Sequence, residues 1–207
     1  MIKNVLFDFG GVFVRLSRDI AVKRFEELGV DNAEKLLDPY QQQGLFLQLE
    51  EGKYTEEEFT NILNETYGIS VTVNDVRHAL MGFLAEVQQE KFDYLREEWP
   101  SGVRKLLVSN INPFVWSYAR SGEMISSGAS IDDYFERIYT SFEHKICKPK
   151  QDFFELIIED AKIRPEETLF IDDGPVNTQV ARELGFVSYC PDNGEDWRPI
   201  LDKMLKK

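Results

Sequence analysis

Apolar residues crowd the start of the chain. Ile2 and then Val5-Leu6-Phe7 run up to Asp8, two glycines follow at Gly10 and Gly11, and Val12-Phe13-Val14 resumes the apolar run. This pattern predicts a buried strand, a tight turn and a second short extended piece. From about Ser17 to Trp99 the spacing turns helical: Ile20, Phe25 and Leu28, then Phe59, Ile62 and Leu63. Thr55-Glu56-Glu57-Glu58 has the form of a capping box ahead of Phe59, and Gly29, Gly52 and Gly68 punctuate the stretch. It reads as several helices without a buried strand. The weak exception is Ser70-Val71-Thr72-Val73-Asn74, a brief β-prone piece or the lead-in to a helix.

Strand-like runs then return at Leu106–Asn110, Arg137–Thr140, Thr168–Asp172 and Phe186–Tyr189. Helical patterns lie between them, such as Phe153, Leu156, Ile157, Ala161 and Val176, Val180, Leu184, the latter closed by Gly185. Strands alternating with helices predict a doubly wound parallel α/β sheet. Residues 1–16 and 100–207 would form this core, and residues 17–99 an inserted all-helical cap. In such sheets ligands bind at the carboxyl ends of the strands. Asp8, Ser109-Asn110 and Asp172-Asp173 all fall at such ends.

Composition narrows the function. With 207 residues, 43% hydrophobic and 29% charged, the chain can bury a full core. Its net charge of −13 disfavours nucleic acid and anionic membranes, and only Lys206-Lys207 forms a basic run. An anionic substrate would therefore need positive charge supplied locally. Cys147 and Cys190 are far apart in sequence and read as reduced structural thiols. The opening apolar stretch is too short for a signal peptide, and no run is long enough to span a bilayer. The expected setting is cytoplasmic, with neither nucleic acid nor membrane as partner.

Each polar strand end suggests chemistry. A carboxylate at Asp8 can act as a covalent nucleophile toward phosphorus, or simply cap the turn. The adjacent acids Asp172-Asp173, before Gly174, repel one another unless a cation holds them, and magnesium prefers such oxygen ligands. Ser109-Asn110 offers hydroxyl, amide and backbone N–H groups that suit phosphate oxygens, although both are common turn residues. Lys148, kept extended by Pro149, can neutralise phosphate charge, with Lys150 the less favoured alternative.

These four features, in order, resemble the haloacid dehalogenase superfamily. Asp8-Phe9-Gly10-Gly11-Val12 is similar to its first motif, Ser109-Asn110 to the second, Lys148-Pro149 to the third, and Asp172-Asp173-Gly174 with Asn177 to the fourth. The resemblance covers essentially the whole chain. It implies a Rossmann-like core with a helical cap and an aspartyl-phosphate formed on Asp8. Ser109, Asn110 and Gly11 would contact the phosphate, and Lys148 would balance charge. Magnesium would sit on the Asp8 carboxylate, the Gly10 carbonyl and Asp173, helped by Asp172. The substrate would be a small phosphorylated metabolite, with sugar phosphates indicated by the Asp-x-Gly-(Asn/Gly)-Val form of the first motif.

One position departs from the family pattern. Most phosphatases of the family carry an acid two residues after the nucleophile, and here Gly10 stands there. General acid–base help is worth typically ~10²–10⁴-fold. Either the leaving group needs little protonation, or another group (from the cap, for instance) supplies the proton, or the protein is a slow enzyme or a phosphate-binding protein. A metal-independent dehalogenase is the rival within the fold, and the acid pair Asp172-Asp173 argues against it. His78 reads as structural, His144 as a weaker candidate for the pocket edge. Phe46, Phe83, Phe92 and Trp99 read as cap packing, one or two of them reaching the pocket.

Overall fold

The computed structural model describes residues 1–37 and 43–205, so Lys206 and Lys207 lie outside the described residues. The described residues form seven strands: β1 (Asn4–Phe7), β2 (Val14–Leu16), β3 (Leu84–Val87), β4 (Arg104–Ser109), β5 (Arg137–Thr140), β6 (Thr168–Ile171) and β7 (Val187–Tyr189). Five of them form one parallel sheet in the order β5-β4-β1-β6-β7. This is the doubly wound α/β core that the alternating pattern predicts.

Side chains alternate across this sheet, and both faces are covered. Val5, Phe7, Leu107, Leu169 and Ile171 join one apolar cluster. Leu6, Leu106, Val108 and Phe170 join a second on the opposite face. The register explains the split: Leu6 lies beside Leu106 and Phe170, and Phe7 beside Leu107 and Ile171. Parallel sheets buried on both faces carry such near-continuous apolar runs. Because β1 is central and chain connections diverge from it, its carboxyl end is a natural crevice.

Between β2 and β3 lie the helices Arg18–Glu27, Ala33–Leu36, Gly44–Glu50, Glu56–Tyr67 and Val73–Leu80. Thr55 and Glu58 form the expected capping box. The β-prone piece at 70–74 is a helix lead-in, with Thr72 capping the next helix through Asp75. Phe46 packs against Phe25 and Phe59, forming the insert's own core. Phe59 reaches Phe114 of the core helix Pro113–Arg120, which docks the insert onto the sheet layer.

The expected all-helical stretch 17–99 needs correction at its end. β3 falls inside it and pairs antiparallel with β2, Val14 opposite Val87. Leu84-Ala85-Glu86-Val87 has little strand propensity of its own, so β2 supplies what local sequence does not. The helix Gln89–Glu97 also belongs with the sheet layer rather than with the insert. Phe92 stacks on Phe13 and meets Tyr134, and Trp99 contacts Phe7 and Tyr94. Ile20 is 47% exposed and Val176 60%, so neither fills the core their spacing suggested. No helix among the described residues is long and apolar enough to cross a membrane.

Phe13 is the hub of the aromatic cluster beneath the Gly10-Gly11 turn, touching Phe7, Phe92, Phe135 and Trp197. Phe13→Ala is expected to cost about 3–5 kcal/mol in urea unfolding. Ile20→Ala, on the exposed side of its helix, should stay within about 0.5 kcal/mol of the parent.

Candidate active site

Asp8 follows β1 directly and continues its ladder, its N–H donating to the Ile171 carbonyl at 2.8 Å. Its carboxylate Oδ1 accepts the Phe9 N–H at 2.7 Å and lies 2.8 Å from Lys148 Nζ. Both contacts fall on Oδ1, and neither engages Oδ2. Lys148 Nζ also donates to Asp172 Oδ2 at 2.6 Å and to the Val108 carbonyl at 3.3 Å. One ammonium thus joins the ends of β1, β4 and β6.

Asp172 is fully enclosed, and its remaining bonds come from the Gly174 N–H and the Asn177 amide. Both of its oxygens are therefore occupied by protein donors, which makes it chiefly an anchor for Lys148. Asp173 differs: its Oδ2 is buried without a hydrogen-bond partner. Asp8, Asp172 and Asp173 each place a carboxylate oxygen within 4.8 Å of the others. Three carboxylates facing one ammonium leave an excess of two negative charges if all are ionised. A divalent cation would cancel that excess. The orphaned Asp173 oxygen, a hard donor on a carboxylate of this cluster, fits such an ion. Asp8 and Asp173 are the better-placed side-chain donors, and Gly10 lines the same cavity.

The charges show the same shortage of cations. Burial pushes the Asp8 carboxyl up to about 7, Lys148 opposing and Asp172 adding to the rise. Burial, then the charges of Asp8 and Asp172, push Asp173 up to about 8. Burial alone would lower Lys148, but Asp172 and Asp8 outweigh it and hold the ammonium above its ordinary range.

The structure also places the other residues expected at the site. Asn110 spends its side-chain amide on Lys148, accepting its N–H at 2.8 Å and donating to its carbonyl at 2.9 Å. It positions the lysine, while Asn110 also lines both cavities described below. Gly11 donates its N–H to the Val14 carbonyl at 2.8 Å. Its contribution is room: at φ +68°, a Cβ there would lie 1.9 Å from Asp173 Oδ2. Ser109 is buried, and its Oγ makes only a long 3.4 Å contact with the Asn110 carbonyl. Lys150 is exposed and pairs with Glu51 at 3.2 Å, so Lys148 alone of the two enters the site. His78 and His144 are both exposed, His144 lying against the Tyr139 and Phe153 rings. Burial pushes the Cys147 thiol up to about 12, in keeping with a structural role.

Two cavities meet above Asp8. One, of about 350 Å³, has Asp8, Lys148 and Asp173 as its floor and Gly10, Leu16 and Asn110 at its rim. The second, of about 490 Å³, shares Gly10, Leu16 and Asn110 and extends to Ser109, Phe83 and Glu50. Phe83 is thus the expected aromatic that reaches the pocket. Glu50 escaped the sequence reading. Its one signal was position, since acids at a helix C-terminus oppose the helix dipole.

With sheet, acid cluster and pocket in place, the class of the protein is clear: the chain belongs to the haloacid dehalogenase-like hydrolases, whose sequence profile matches residues 2–185. The D-ribitol-5-phosphate phosphatase of Bacteroides thetaiotaomicron is 43% identical over 209 residues, covering 99% of each chain. A HAD-like family hydrolase of Porphyromonas gingivalis superimposes with a TM-score of 0.95 at 44% identity, over 100% of this chain and 99% of that one. A HAD family enzyme of Bacteroides thetaiotaomicron, crystallised with magnesium and inorganic phosphate, gives a TM-score of 0.86 at 36% identity, over 97% of this chain and 99% of its own.

Two expectations follow from the geometry. Gly11→Ala should displace Asp173 and weaken magnesium binding about 10–100-fold by titration calorimetry. Unchanged affinity would show that Asp173 does not hold the ion. The second concerns pH. Burial raises the folded-state values of Asp8 to about 7 and Asp173 to about 8, against 3.8 for an ordinary Asp. The folded protein then binds more protons than the unfolded chain between these limits, so the metal-free protein loses stability as pH rises through them. Magnesium should accordingly raise Tm more at pH 8 than at pH 5 in thermal melts.

Proposed function

We propose that the protein is a magnesium-dependent phosphatase that hydrolyses a small phosphate monoester through an aspartyl-phosphate on Asp8. The observation that carries this reading is the Asp8–Lys148–Asp172 chain, with the unpaired Asp173 oxygen beside it, lining a polar cavity. The name of the 43% identical relative supports a sugar-alcohol phosphate as the substrate class. The magnesium and phosphate found with the 36% identical enzyme support the same cation here.

Asp8 Oδ1 is held by Lys148 and the Phe9 N–H, which leaves Oδ2 to attack phosphorus. The P–O bond to the leaving group breaks in line with that attack, and its electron pair goes to the leaving oxygen. Lys148 stays protonated throughout and offsets charge on the phosphoryl group. Bound at Asp8 and Asp173, magnesium would add Lewis-acid polarisation of a phosphoryl oxygen. Ser109, which lines the adjoining cavity, is placed to donate its hydroxyl to the phosphate. The helical insert bounds the wider cavity and is suited to shield the reaction from water and to select the leaving group.

The rival is metal-independent attack on carbon by the same Asp8. A buried, unpaired carboxylate oxygen at Asp173 has no use in that chemistry and destabilises the site without a cation. The test is a panel of sugar-alcohol 5-phosphates, a sugar 1-phosphate, an aryl phosphate and a 2-haloacid, each with magnesium and with a chelator. Phosphate release that requires magnesium, with no halide release, is the expected result. Turnover of the haloacid alone, or of nothing on the panel, would end this reading. Asp8→Asn should lower turnover by at least about 10³-fold while inorganic phosphate still binds.

A further inference from the structure

We infer that Glu50, carried by the helical insert, is the acid/base of the reaction and does the work for which Gly10 has no side chain; this rests on the phosphatase reading above. Glu50 is partly buried and, among the described residues, is the one titratable side chain lining the 490 Å³ cavity. That cavity joins the one over Asp8 along the Gly10 backbone. A leaving group departing from phosphorus, opposite Asp8, moves into the space Glu50 borders.

The backbone around Glu50 is fixed to the core. The helix Gly44–Glu50 ends on this residue, and Glu51 is paired to Lys150 at 3.2 Å and Lys53 at 2.9 Å. Gly52 lies flat on the Phe142 carbonyl, where a Cβ would come within 1.9 Å. Such a contact admits only glycine and holds the turn at a set distance from the sheet. Nothing in the helix itself calls for an acid at this end, where the dipole disfavours it. The groups that face Glu50 electrically are Asp8 and Lys148 at the site, and the Cys147 thiol from the core. Burial pushes Glu50 up to about 8, with Asp8 adding and Lys148 opposing. The direction of that shift favours the protonated form that a general acid must have.

The proton balance closes. As Asp8 Oδ2 bonds to phosphorus and the P–O bond to the substrate breaks, the Glu50 proton passes to the leaving oxygen, and a neutral alcohol departs. The Glu50 carboxylate then takes a proton from water as the water oxygen attacks phosphorus. The Asp8–phosphorus bond breaks, inorganic phosphate leaves, and Glu50 is protonated again.

The experiment compares a sugar-alcohol 5-phosphate, whose alkoxide leaves poorly, with an aryl phosphate, whose phenolate leaves well, using the full chain with magnesium. Glu50→Gln is expected to lower kcat on the alkyl substrate by ~10²–10⁴-fold. KM should change by less than about threefold, and the first-turnover burst of phenol from the aryl phosphate should be largely preserved. Adding Gly10→Asp to that variant should restore at least about tenfold of the alkyl activity. The new side chain is tolerated sterically, because a Cβ at Gly10 meets only the flexible tip of Leu16, at 3.0 Å. Equal losses on both substrates in the first turnover, a change in KM alone, or near-parental turnover would overturn the assignment. A pure KM effect would make Glu50 a binder of substrate hydroxyls instead. Should Glu50→Gln fail to fold, Gly10→Asp in the parent decides: a large gain confined to poor leaving groups would mean that no acid was present. Asp8→Asn run alongside separates the two levels. Activity surviving there removes the phosphoenzyme itself, whereas its loss beside an unimpaired Glu50→Gln removes only the role of Glu50.

Discussion

Everything at the site is organised around one buried ammonium. Lys148 Nζ, with 1% of its side chain exposed, reaches Asp8 at the end of β1, Asp172 after β6 and the Val108 carbonyl of β4. Breaking such a buried pair on one side typically costs about 3–5 kcal/mol, since a charge is left without a partner. The lysine is in turn fixed at its own backbone by the Asn110 amide. A residue outside the sheet thereby ties three strand ends together, and the order of the sheet makes those three ends neighbours.

The same arrangement is deliberately short of positive charge. Three acids share one lysine, and the unpaired Asp173 oxygen marks where a further cation belongs. Gly11 makes this crowding sterically feasible by leaving space for the Asp173 carboxylate. Beneath the turn, the Phe13 cluster and the buried Lys91, which donates to the Val12 and Glu195 carbonyls, give it a rigid base. Preorganised charge of this kind acts without rearrangement at the moment of reaction.

The insert completes a site that the sheet leaves open on one side. Its docking through Phe59 and Phe114, and the seating of Gly52 on Phe142, bring Glu50 and Phe83 over Gly10. The proposed division is that the core holds phosphate and metal, while the insert contributes the proton and the fit to the leaving group. A glycine two residues after the nucleophile is then compatible with efficient turnover.

The sheet was legible in the sequence because its signal is local. Apolar runs such as Val5-Leu6-Phe7 and Leu169-Phe170-Ile171 can only be buried on both faces, and the polar residues that stop them mark the strand ends. Asp8, Asp172 and Asp173 could be read from those positions, and Lys148 from Pro149 and its place in the order. What escaped depended on contacts between distant segments. β3 exists because β2 pairs with it, Phe92 packs on Phe13 rather than within the insert, and the Asn110 amide is tied to the Lys148 backbone. Glu50 is the clearest case. In sequence it is one of many acids on a helix, and only the docking of the insert onto the core brings it to the cavity that adjoins the one over Asp8. Sequence by itself determined which residues carry charge and which runs must be buried, because hydrophobic periodicity acts along the chain. The tertiary structure alone decided which charges face one another, because burial and Coulomb interaction depend on distance in space.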